Sequence, residues 1–146
     1  MTALARLLVT FLAALTVGAV PASATPRHTE ILPAGVREID VHRSHASRRV
    51  TDPTRVLTIV RWFDALRIAP STIYYCPMIR YTAPTTFDFR AGDGTLLAHA
   101  RTPGMAACGG SIDVNIRGRA RRPLLVGRFL VRVERLLGMR LVPVYR

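Results

Sequence analysis

The chain has no lysine: all 21 of its basic residues are arginine, set against 9 acidic residues in a length of 146. A bias that complete reflects a GC-rich coding source more readily than a phosphate-binding design. Cysteine is scarce too. Cys76 and Cys108 can close only one bridge, which excludes a knottin-like framework, and neither a C-x-x-C pair nor a Cys/His cluster at zinc spacing exists for redox or metal work. Also missing are a Walker loop, a G-x-G-x-x-G, an H-E-x-x-H and a G-x-S-x-G nucleophile turn. The single asparagine, Asn115, is followed by Ile116-Arg117, so there is no N-glycosylation acceptor. Against these absences stands a hydrophobic content of 49%, too high for a wholly disordered chain, in a length that suits one domain.

The first 24 residues read as a signal peptide rather than as part of the fold. Arg6 supplies the positive start, Leu7 to Val20 is an uncharged apolar run, and Pro21 breaks it ahead of the small-residue site Ala22-Ser23-Ala24. The run holds 14 residues, short of the roughly 20 that a membrane span needs. Cleavage after Ala24 leaves a mature chain of 122 residues with net charge +11, starting at Thr25, without a lipid-attachment cysteine or a second run long enough to span. The product is expected to be secreted. An oxidising destination and an even cysteine count make Cys76–Cys108 a structural disulfide, closing a loop of about 32 residues and contributing roughly 3–4 kcal/mol.

Residues 25–50 read as an irregular lead with one strand, in which Ile39 and Val41 alternate with Glu38, Asp40 and His42; Ser44 to Arg49 reads as a loop. Residues 51–146 carry the main α+β domain. Asp52 as N-cap and Pro53 in the first turn start a helix expected to run to about residue 67, with Val56, Ile59, Val60, Phe63 and Leu66 as its apolar stripe. The period then drops to two. Strands are expected at Thr72–Cys76, around Phe87 and Phe89, from Leu96 to Arg101, and around Ile112, Val114 and Ile116, with Gly92-Asp93-Gly94 as a hairpin turn. A final helix is expected from Pro123 to Gly138, the glycine serving as its left-handed stop. The architecture expected is an antiparallel sheet of about four to five strands with two helices packed on one face.

Three features bear on function. Arg117, Arg119, Arg121 and Arg122 lead into Arg128, Arg132 and Arg135, which helical spacing puts on one arc; Glu134 is the one acid among them. Such a ridge suits a protein or an anionic surface polymer. No aromatic residues interleave the arginines to stack bases, which argues against nucleic acid. Second, Asp88, His99 and Asp113 can share the outward sheet face, the feature a secreted enzyme would use for proton transfer. Third, the segment from Cys76 to Phe87, braced by Pro77 and Pro84, could serve an extracellular protein inhibitor as its rigid loop. His42 and His45, with His28 and Asp40 nearby, make a poor metal site, since Arg43, Arg48 and Arg49 repel a cation; neither metal nor cofactor is expected.

The order of these motifs resembles that of the small exported actinobacterial proteins of unknown function. The residues that carry the likeness are Thr51-Asp52-Pro53 with Val56, Cys76-Pro77, Phe87-Asp88-Phe89, Gly92-Asp93-Gly94, Cys108 and Leu136-Leu137-Gly138, spanning about residues 50–138. The resemblance implies a one-disulfide α+β domain and supplies no catalytic residues. The favoured reading is a basic, non-enzymatic binding domain outside the cytoplasm. Peptide mapping of the exported protein without reduction should recover Cys76 and Cys108 in one cross-linked peptide pair; two alkylatable thiols would contradict the bridge.

Overall fold

The computed structural model describes residues 31–70, 80–81, 83–103, 105–106 and 110–141. The cleavage site, Cys76, Cys108, the expected strand at Thr72–Cys76 and most of the Cys76–Phe87 loop lie outside them. The fold is α+β. Its chain order is β1 (Glu38–Arg43), β2 (Ala46–Val50), α1 (Pro53–Asp64), β3 (Arg80–Tyr81), β4 (Thr85–Arg90), β5 (Leu96–Arg101), β6 (Met105–Ala106), β7 (Ser111–Ile116), β8 (Arg119–Ala120), β9 (Leu124–Leu125) and α2 (Phe129–Leu137). Seven strands make one antiparallel sheet in the order β2-β1-β4-β5-β7-β8, with β9 also on β7, while β3 and β6 pair separately. The sheet thus has more strands than the four to five expected.

Alternation fixes which side of the sheet is dry. Cross-strand register puts Ile39, Phe89 and Ala98 in one inward row and Val41, Phe87, Ala100 and Val114 in the next. Each phenylalanine of β4 therefore sits between a branched side chain and an alanine, and the small residues of β5 leave space above them. Phe63 of α1 and Phe129 of α2 enter that space. Phe63 meets Phe89 edge-on at 5.0 Å between centroids and Phe129 at 5.5 Å, and Phe129 lies 5.3 Å from Phe87. All four rings are buried, and edge-to-face pairs add about 0.5–1.5 kcal/mol each beyond their area.

Each helix starts and stops for a local reason. Asp52 accepts the Arg55 N–H at 2.8 Å, as its position before Pro53 predicts. α1 ends at Asp64, short of residue 67, because the chain beyond it takes up strand-like pairing: Leu125 N–H donates to Arg67 O and Ala69 N–H to Pro123 O. α2 begins at Phe129, six residues after the Pro123 start expected from the arginine-rich sequence. Leu124 and Leu125 are β9 instead, opposite Ile112 and Ser111, and Gly127 turns the chain at φ 48°. The register shifts by one residue between β8 and β9, so Arg119–Leu125 is an edge segment bulged at Arg121–Pro123, where proline has no N–H to give to a ladder. Gly138 closes α2 at φ 62° as expected.

The stretch Ser44–Arg49, read as a loop, is largely β2. Its residues are polar on both faces because it is the sheet's exposed edge, so the alternation that marks a half-buried strand is absent. Phe63→Ala should lower stability by about 3–5 kcal/mol, since it removes the ring that touches both β4 and α2; urea unfolding of the variant checks it.

Candidate functional site

The open face of the sheet is a polar row set by register. Arg49 of β2 lies opposite Asp40 of β1, Asp40 opposite Asp88 of β4, Asp88 opposite His99 of β5, and His99 opposite Asn115 of β7. Side chains link most of that row. Arg49 Nε is 2.8 Å from Asp40 Oδ1 and 3.2 Å from Glu38 Oε1. Arg90 reaches from the adjacent row to Asp40 Oδ2 at 3.1 Å, to Asp88 Oδ2 at 3.6 Å and, through Nη1, to Gly94 O at 3.0 Å. Asp88 Oδ1 lies 2.6 Å from His99 Nδ1.

Asp40 is the best-buried member, its side chain 9% exposed. Burial pushes its carboxyl pKa up, but the hydrogen bonds and charges of Arg49 and Arg90 outweigh that and hold it below the ordinary carboxylate range. The same contact, with its hydrogen bond to Asp40 foremost, raises Arg49. In the β4–β5 turn, the Thr95 N–H bonded to Asp93 Oδ1 at 2.9 Å lowers Asp93.

The sequence-predicted sites fare differently. Asp88 and His99 are brought together; Asp113 shares their face but sits opposite Arg101, one row away. Beside His99 lies a shallow depression of about 320 Å³ between β5 and β7, lined by Leu96, Leu97, His99, Asn115, Arg117 and Gly118. Sequence reading picked out neither Arg90, which joins the two carboxylates, nor Asn115 as a neighbour of His99. Alternation put Asn115 on the outward face, but only strand order shows whose neighbour it is. A larger cleft of about 510 Å³, between residues 32–37 and α1, is mostly apolar; its Asp64 is bonded to the Ile31 and Leu32 N–H groups. His42 and His45 are exposed, and no group of metal-ligating side chains occurs among the described residues.

All seven arginines of the expected ridge are exposed, and none makes an ion pair among the described residues. They do not ride on one helix. Arg117 is in the β7–β8 turn, Arg119 on β8, Arg121 and Arg122 in the bulge, and Arg128 at the N-cap of α2; Arg132 and Arg135 lie within α2. Arg132 lies over the Trp62 ring of α1, 5.9 Å from its centroid. Glu134 is turned to the backbone, accepting the Leu141 N–H at 2.8 Å.

Comparison with protein-family models, with curated proteins and with solved structures gives no match. Because the folded-state pKa of Asp40 is depressed, its ion pairs stabilise above the unfolded carboxyl value near 3.9 and are lost as pH falls through the folded value. The stability gap between the parent protein and Asp40→Asn should therefore narrow as pH drops below about 4, read from urea midpoints across a pH series.

Proposed function

We propose that the chain is an exported, basic, non-catalytic domain that binds an anionic polymer at the cell surface. The observation that carries this reading is the run of seven exposed arginines from Arg117 to Arg135 without an ion pair among the described residues. Clustered like charge costs self-repulsion and gains nothing for the fold, so an external anion is its natural counterpart. Export rests on the apolar run ending in Ala22-Ser23-Ala24, and the Cys76–Cys108 bridge on export. Among the described residues no helix is long and apolar enough to cross a membrane.

Two other readings have less behind them. A secreted enzyme would use the Asp88–His99 pair, but Asp88 also faces Arg90, and no serine, cysteine or lysine nucleophile was found beside the pair in the sequence reading. A protein inhibitor would rely on the Cys76–Phe87 loop.

Arg128, Arg132 and Arg135 all changed to Gln should weaken retention on an anionic wall-polymer preparation with little change in thermal midpoint, because exposed charges contribute little to folding. Retention of the parent protein should fall steeply with salt, by about tenfold or more between low and physiological ionic strength, as condensed counterions return to the polymer. Equal retention of parent and triple variant would defeat the reading.

A further inference from the structure

We infer that the depression between β5 and β7 seats one hydroxyl-bearing anionic unit, and that it reads the polymer which the arginine run attracts. This rests on the polyanion reading and makes it chemically specific. Four observations converge on it.

Asp88 fixes the imidazole. A carboxylate can only accept, so with Asp88 Oδ1 2.6 Å away the proton of neutral His99 sits on Nδ1. Nε2 is left as an acceptor with no hydrogen-bond partner among the described residues, on a side chain 42% exposed. That nitrogen calls for an O–H donor. Asn115 is directly across the ladder from His99, which puts the two Cβ atoms about 4.5–5.5 Å apart and adds an amide that can donate and accept.

Arg117 supplies the charge. It lines the same depression, is exposed and makes no ion pair among the described residues. It also occupies the first position of a two-residue turn at φ 49°, followed by Gly118 at φ 78°. A hairpin of that kind prefers Asn or Gly there, and an arginine in the left-handed region is strained. Strain retained at a cleft points from the backbone toward a binding role. Leu96 and Leu97 form an apolar wall against which the carbon skeleton of a small polyol or sugar can lie.

An acceptor nitrogen, an amide and a guanidinium together suit a ligand carrying both a hydroxyl and anionic oxygens. The hydroxyl donates to Nε2, and the anionic oxygens take Arg117 and the Asn115 amide. Arg90, 3.6 Å from the other Asp88 oxygen, offsets the carboxylate charge behind the imidazole, so the incoming anion is not opposed by it. Phosphorylated polyols and uronic acids share this chemistry.

The test titrates the mature ¹⁵N-labelled protein with glycerol phosphate, with a glycerol-phosphate oligomer and with an oligogalacturonate, following the His99 imidazole nitrogens by NMR. The expected result is a shift of Nε2 with at least one series; the responding series identifies phosphate or carboxylate as the anion. Arg117→Asn should weaken binding about tenfold, the scale of one charge-assisted hydrogen bond, while raising the thermal midpoint, because Asn relieves the turn. Asn115→Ala should weaken binding without that gain. The Gln triple variant of Arg128, Arg132 and Arg135 should lose oligomer affinity and keep the response to glycerol phosphate. If Nε2 stays fixed in every titration while retention still depends on the triple variant, the pocket is overturned and the polyanion reading stands. If retention ignores the triple variant while glycerol phosphate still moves Nε2, the polyanion reading fails and the pocket survives as a small-anion site.

Discussion

Four phenylalanine rings hold this domain together. Phe87 and Phe89 rise from β4, Phe63 descends from α1 and Phe129 from α2, so the sheet and both helices share one buried aromatic contact set. The arrangement requires Ala98 and Ala100 on β5, because larger side chains there would fill the space that the helix rings enter. It also determines which face stays wet. Once β4 points its rings inward, Asp88 and Arg90 must point outward, and with them the rest of the polar row.

The outward face is where most of the scarce acid is spent. Glu38, Asp40 and Asp88 are held by Arg49, Arg90 and His99. The acids elsewhere are bonded to backbone N–H groups: Asp52 to Arg55, Asp64 to Ile31 and Leu32, Asp93 to Thr95, and Glu134 to Leu141. Of the acids in the described residues, only Asp113 is left, exposed opposite Arg101. The positive charge between Arg117 and Arg135 thus persists because the acids are committed elsewhere. Segregation of charge in this protein follows from capping and pairing requirements, and the depression beside His99 sits where the two regions meet.

Much of this was legible in residue order. The period-two stretches at Phe87-Phe89 and Ile112-Val114-Ile116 became β4 and β7, the Asp52-Pro53 start became the capped end of α1, and Gly138 became the left-handed stop of α2. The misses share a cause. β2 is polar throughout because an edge strand owes nothing to the core, and Leu124-Leu125 looks helical because two adjacent leucines fit either period. Pairing with β7 on one side and with residues 67–69 on the other decides for strand, an outcome that depends on residues a dozen and more positions away.

The sequence by itself determined the α+β class, the inward and outward faces of the long strands, the helix caps and the excess of arginine, because each depends on neighbours within a few residues. Only the tertiary structure decided that Arg90 bridges Asp40 and Asp88, and that His99 faces Asn115. It also decided that the seven arginines divide among a turn, an edge segment and a helix rather than forming one helical stripe. Those facts depend on strand order and register, which are set when distant segments close over the four rings.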